Sequence, residues 1–480
     1  MALRAGKEIY MKKSLIALLL AVCLLATACS KAPESVVEFL SGTDTVTATD
    51  AVTPTDAEPV VSPVEIEPVD TYVMPTLFSI DDLKSNPETQ NLFFTNMGTR
   101  TGPKELLVMI FNYKNGSIDK PDDVVEKEWS ERIFGGGSER SVNDYFKEVS
   151  QGKFWFEPLC VGDNTSGIHV VNLDKNFSDK QGFKDYGLFD FSRDGAKEMD
   201  KLVKQGLDIN RFKAEGISKK NYVKKLMGYY DMAYEQLSPQ WYETDALMYV
   251  FPPLISESTE LTPLTSKYKD YGIYCCCTHQ STIGRLSHEL ARSLGAVDTY
   301  NYEVAQNDLM CLGFEDYDSN PTASKTQQTD HINPYYKLIW GWCGAQLAAE
   351  DGTFRLYPAT SADYSTVLVP TDDPDQYFLI ENRKAEGCDD YLGSDYVSPH
   401  PVGLTIWRID KLSLQKMSYK YERLGIGMVD VLKDAGKKSE LKYYASRDDI
   451  NNSELTSCGI TVEFSKFTDD YVEINIDFQN

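Results

Sequence analysis

Ser281-Thr282-Ile283-Gly284-Arg285-Leu286-Ser287-His288-Glu289-Leu290-Ala291-Arg292-Ser293-Leu294-Gly295-Ala296-Val297-Asp298 is the stretch whose reading decides the rest of the chain. Ile283, Leu286, Leu290 and Leu294 recur at three and four residues, which places them on one buried face of a helix. Ser281 or Thr282 can cap its start, and Gly295 suits the left-handed turn at its end. On the other face His288 and position 292 stand one turn apart, with Glu289 beside them. That is the spacing of an H-E-x-x-H site, in which two histidines hold zinc and the glutamate takes a proton from the bound water. Here position 292 is Arg, while Gly295 and Asp298 keep the register of the longer H-E-x-x-H-x-x-G-x-x-D pattern.

Outside this helix the chain divides by composition. Lys12 and Lys13 precede the apolar run 14–25, which ends in small residues before Cys29 and reads as a secretory signal with a lipobox-like end. The run is shorter than the roughly 20 residues a membrane-spanning helix needs. Residues 1–28 are therefore expected to be a signal peptide and Cys29 a lipidation site, with simple cleavage and release as the alternative. Residues 29–76, rich in Thr, Val, Pro, Asp and Glu, have no helical period and read as a flexible tether.

The net charge of −25 argues against a nucleic-acid partner. Losing 1–28 removes Arg4, Lys7, Lys12 and Lys13 and the single anion Glu8, a net of three positive charges, which leaves −28 on the mature chain. Such a surface repels anionic lipid, so the acyl chains would do the anchoring.

The body opens at Lys104-Glu105-Leu106-Leu107-Val108-Met109-Ile110-Phe111, a continuous apolar run of strand length that belongs inside a sheet covered on both faces. A helix over 141–149 follows, with Ser141 as its cap, and a second buried strand lies at 245–251. Residues 194–238 have helical spacing. Beyond 351 short alternating strands take over, near 354–357, 365–369, 376–380, 403–409, 460–464 and 471–478. The expected fold class is α+β, with a mixed α/β domain over 77–350 and a β-rich domain over 351–480.

Of ten cysteines, Cys23 lies in the signal and Cys29 at its end. The other eight lack the regular spacing of a disulfide scaffold. Cys275-Cys276-Cys277 with His279 is a soft-metal candidate on composition, but three adjacent thiols on a strand cannot point at one ion. Acidic runs at Asp372-Asp373, Asp389-Asp390 and 316–318 are candidates for calcium or for solvated loops. No serine-nucleophile elbow, phosphate loop or dinucleotide fingerprint is present.

From about Arg100 onward the chain resembles the immune inhibitor A-type bacterial zinc metallopeptidases, peptidase family M six. The resemblance is carried in order by the strand LLVMIF, the element SVNDYFKEVSQGKFWFEP, the strand DALMYVF, the helix quoted above, Asn307-Asp308-Leu309-Met310-Cys311, and Asn333 to Trp342. Asp375 to Arg383 and Gly403 to Asp410 resemble two further strands of that family. The resemblance implies an exported zinc endopeptidase with a metzincin-like domain. In it His288 would be the first zinc ligand, Glu289 the general base, Asp298 the third ligand, and Met310 the turn beneath the metal.

Arg292 departs from this pattern at the second ligand. A guanidinium has no lone pair and stays protonated, so Arg292 cannot ligate; it can pair with Glu289 and Asp298 where an ion would sit. His279 or His331 would have to supply a substitute ligand. The expected protein is therefore a surface-tethered family member, impaired in catalysis, that keeps a cleft for a protein or peptide. The alternative is an active endopeptidase with a substitute ligand. Changing Cys29→Ser is expected to release the protein from membranes into the soluble fraction, and unchanged membrane retention would contradict lipid anchoring.

Overall fold

The structure, a computed structural model, describes residues 70–93, 99–114, 118–174, 197–207, 246–251, 275–279, 281–294, 296, 308–310, 329–361, 363–384, 386–389, 403–410, 429–431, 455 and 457–479. In chain order, the first half contains β1 (Leu77–Phe78), α1 (Ile80–Ser85), β2 (Gly102–Tyr113), α2 (Asp122–Phe134), α3 (Val142–Val149), β3 (Phe154–Pro158) and β4 (Ile168–Leu173). There follow β5 (Ala246–Phe251), β6 (Cys275–Thr278), α4 (Ile283–Ser293), α5 (Pro334–Ile339) and β7 (Ala345–Leu347). The remaining strands are β8 (Gly352–Leu356), β9 (Thr366–Pro370), β10 (Gln376–Arg383), β11 (Gly403–Asp410), β12 (Val429–Val431), β13 (Ile460–Phe467) and β14 (Val472–Phe478). The arrangement is α+β. Of the helical stretch expected over 194–238, residues 197–204 are helical and those from 208 on lie outside the described residues.

The first sheet is parallel throughout, with β3 and β4 along one side of β2, and β5 then β6 on the other. Burial on both faces explains why its central strands are uniformly apolar. Leu106, Val108 and Ile110 point into one core, and Leu107, Met109 and Phe111 into a second. α3 covers the first face. Ser141 accepts from the Asp144 backbone while Asp144 reaches back to Ser141, a capping box that starts the helix where the sequence placed it. Asn143 then pairs with both the N–H and the C=O of Phe156, at 2.8 Å each, fixing α3 to β3.

The second sheet has the order β1-β7-β9-β10-β11-β12, and β13-β14-β8 forms a third. β10 is the wall between two cores. Tyr377 and Leu379 join the core that holds α3 and α4, while Phe378 and Ile380 join the core of the C-terminal strands. Alternation carries Glu381 and Arg383 to the helix side of this wall, both fully buried.

The boundary expected at 350 therefore runs through the interior of one compact unit beginning at Thr71. β1 and β7, from the first half of the body, are strands of the sheet that β9 to β12 complete. Tyr72, inside the stretch expected as tether, donates to the Thr353 carbonyl at 3.0 Å and accepts from the Arg355 N–H at 3.1 Å, so the body begins before residue 77. Among the described residues no helix is long and apolar enough to cross a membrane.

Candidate functional site

α4 begins where Thr282 accepts from the Arg285 N–H at 3.1 Å. Arg132 of α2 donates to the carbonyls of His279 and Ser281 and holds the turn leading from β6 into the helix. The apolar face of Ile283, Leu286 and Leu290 is buried as its period requires. The opposite face is buried too: His288 and Glu289 have no exposed surface, and Arg292 keeps 7%. An exposed polar face is not what this helix carries.

His288 Nδ1 lies 2.8 Å from the carbonyl oxygen of Leu309. A carbonyl can only accept, so Nδ1 carries the proton and the lone pair of the neutral ring is on Nε2. This is how a second contact orients a ligating histidine. The contact comes from the turn that contains Met310, itself fully buried in the same core. Asp308 builds that turn by accepting from the Asn333 N–H at 3.0 Å and its side-chain amide at 2.9 Å. Burial pushes the Asp308 carboxyl up to about 6 against the pull of these bonds and of the Met310 N–H.

Arg292 stands one turn after His288 in the last turn of α4. Asp298 and Gly295, and hence the expected pairing of Arg292 with Asp298, lie outside the described residues, as does Cys29. Among the described residues the donors on this helix do not make up a zinc site. His288 is suitably oriented, but the second ligand position holds a group without a lone pair, and no cluster of three ligating groups among the described residues contains His288, Glu289 or His279. His279 is half-buried, and burial together with the Arg132 charge lowers it to about 4.

His331, the other expected substitute, belongs to a different group. Its Nε2 is 3.2 Å from Glu148 Oε1, at the end of α3. Cys388 completes the cluster, with the three ligating atoms within 4.8 Å of one another. The Cys388 N–H donates to Glu148 Oε1 at 2.5 Å. Arg140 binds the other Glu148 oxygen, and its guanidinium is 2.7 Å from the Cys388 sulfur. Burial works to raise the Glu148 carboxyl, but the His331 bond, the His331 and Arg140 charges and the Cys388 N–H outweigh it and bring it down to about 2. Burial holds the Cys388 thiol protonated, well above its ordinary value.

Beneath this cluster, Arg383 binds both oxygens of Asp389, at 2.6 and 2.7 Å, and Glu381 at 3.3 Å. Lys337 of α5 reaches the second Glu381 oxygen at 3.0 Å, and Trp407 donates to the first at 3.0 Å. Asp389 also accepts the His331 N–H at 3.0 Å. Of the calcium candidate at 389–390, Asp389 is 1% exposed and commits both oxygens within the protein, so this residue is not part of a solvated surface, and Asp390 lies outside the described residues. Asp373 is exposed and accepts the Asp375 N–H at 2.9 Å in a surface turn, and 316–318 lie outside the described residues. Cys275 and Cys277 are buried, unbridged members of the core beside α4.

Sequence reasoning missed Glu148, Arg140, Cys388, Glu381, Arg383 and Lys337 as site residues. Glu148 sits 183 residues from His331 and 240 from Cys388, so no local spacing signals the group.

No family model and no curated protein matches this chain. Among solved structures, the crystal structure of wild type OgpA from Akkermansia muciniphila is similar at a TM-score of 0.27 and 11% identity, covering 65% of this chain and 86% of that one. Likeness at that level carries no argument for fold or function.

The Glu148 carboxyl has an ordinary value of 4.5 and a folded value of about 2, so it contributes stability fully above about pH 4.5 and loses it as pH falls through about 2. Glu148→Gln, in the presence of chelator, is expected to destabilise the protein by about 2 kcal/mol at pH 7. The gap between variant and wild type in urea melts should close on acidification. A gap of constant size from pH 7 to acid would contradict the assignment.

Proposed function

We propose that the chain is an exported, lipid-anchored protein built on the immune inhibitor A-type metallopeptidase fold, with a metzincin-like domain, in which zinc hydrolysis has been lost and a protein- or peptide-binding cleft retained. The observation that carries this reading is Arg292, a buried guanidinium one turn after His288, where a second imidazole would be needed. Zinc chemistry in such a fold depends on lowering the pKa of a bound water from 15.7 to about 7. That is about 9 units, or about 12 kcal/mol. Glu289, as general base, cannot make up that difference alone. Arg292 supplies a permanent positive charge where the ion's charge would sit, which keeps the buried acidic surroundings compensated without chemistry.

What remains is recognition: a protein or peptide would bind in the cleft that the fold keeps, with Glu289 and Arg292, both buried, behind the surface it touches. The tether and Cys29 would hold the body outside the membrane, with a protein or peptide as its partner and no nucleic acid. The orientation of His288 by Leu309 favours a second reading, an active zinc endopeptidase with a substitute ligand, because that contact presents Nε2 ready to ligate.

Arg292→His separates the two. In the variant we expect zinc that is lost again when His288 is also changed to Ala, a lower melting temperature without zinc, and its recovery when zinc is added. Wild-type protein should show no zinc dependent on His288 and no cleavage of a denatured protein. Wild-type cleavage that disappears in Glu289→Gln would establish the enzyme instead.

A further inference from the structure

Glu148, His331 and Cys388 come from the end of α3, from the segment before α5, and from the turn after β10, and each side chain is turned toward the other two. We propose that these three residues form a binding site for a borderline-soft divalent cation of the zinc class, separate from the α4 helix. A carboxylate, an imidazole and a thiol are the donor types that zinc takes, and they leave one tetrahedral position for water. Bonds of about 2.0–2.3 Å place tetrahedral ligands about 3.3–3.8 Å apart. Glu148 and His331 are already 3.2 Å apart, and the whole set lies within 4.8 Å, so closing on an ion takes a contraction of about 1 Å.

The charges balance in both states. Without a metal, the Glu148 carboxylate is neutralised by Arg140 and the thiol is protonated. With a divalent cation, Glu148 and a Cys388 thiolate neutralise the ion, the thiol proton leaves to solvent, and Arg140 turns outward. Arg140 can do so because its side chain is 19% exposed and it stands in the segment just before α3, while Glu148 keeps 25% exposure. Those two side chains also give the ion its way in.

The supporting shell is rigid. Asp389 grips Arg383 with both oxygens and the His331 backbone with one of them, and it is the neighbour of Cys388 in the chain, so two of the three donors are held by one buried ion pair. His331 Nδ1 is buried and has no hydrogen-bond partner among the described residues. Without an ion the Glu148 carboxylate, which can only accept, takes its hydrogen bond from His331 Nε2–H; an ion at Nε2 takes that proton's place, and the ring stays neutral with its proton moved to Nδ1.

Cobalt(II) titration of the metal-stripped full chain tests the site, because only a thiolate ligand gives the near-ultraviolet sulfur-to-cobalt charge-transfer band. We expect that band at one cobalt per chain, its displacement by zinc, and its loss in Cys388→Ser. His331→Ala should weaken cobalt binding by more than about tenfold. His288→Ala should leave the band unchanged, so the outcome here is independent of whether α4 binds zinc. Arg140→Gln removes the competing cation without touching a ligand and should tighten binding about tenfold. It also decides the matter if Cys388→Ser fails to fold. Absence of the band in the wild type, its survival in folded Cys388→Ser, or unchanged or weaker binding in Arg140→Gln would each overturn the proposal.

Discussion

The rest of this structure depends on how Arg383 is neutralised. A guanidinium with no exposure to water would be untenable alone, and the protein meets its cost with a bidentate Asp389, a shared Glu381, and through Glu381 the buried Lys337. The two cations face two carboxylates, so the group is balanced. Removing any one member would leave a buried charge uncompensated, a loss of about 3–5 kcal/mol. The same carboxylate that holds Arg383 also holds the backbone of His331. From there Asn333 grips Asp308, Asp308 forms the turn at Leu309, and the Leu309 carbonyl aims His288. The ring orientation on α4 is thus the far end of a chain of contacts that starts on β10.

That chain explains why the two halves of the body cannot be treated as independent. β10 presents apolar residues to the C-terminal core and, on its other face, Tyr377 and Leu379 followed by Glu381 and Arg383 to the helices. α5 closes on it through Lys337. Gly341, at φ +77°, permits the left-handed turn after α5 that lets Trp342 N–H return to the Lys337 carbonyl at 2.8 Å. Trp342 then packs with Phe146 and Phe154 and donates to the Arg100 carbonyl at 2.6 Å, joining α3, β3 and the entry to β2.

What local pattern encodes was legible. Continuous apolarity identified β2 and β5 as interior strands, Ser141 marked the start of α3, and the three-and-four spacing of Ile283, Leu286, Leu290 and Leu294 found α4. His288, Glu289 and Arg292 could be read together because they lie within one helix of the sequence, while Met310 was drawn from the resemblance. The Glu148–His331–Cys388 group and the Arg383 network could not be read in this way, since their members meet only through long-range packing. Asp389 illustrates the difficulty: an Asp-Asp dipeptide reads as solvated, and only its distant contacts make it a buried counter-ion. The same reason hid the sheet that crosses residue 350, because β1 and β7 are two and three residues long and acquire meaning only through pairing.

Arg292 is proposed to fill on α4 the place a metal would take. An anomalous difference map at the zinc edge, from crystals of the full chain grown with zinc, addresses it directly. The account predicts no peak within bonding distance of His288 Nε2, with the Arg292 guanidinium ordered one turn along the helix. A peak bonded to His288 Nε2, with Arg292 turned away from it, would contradict the account.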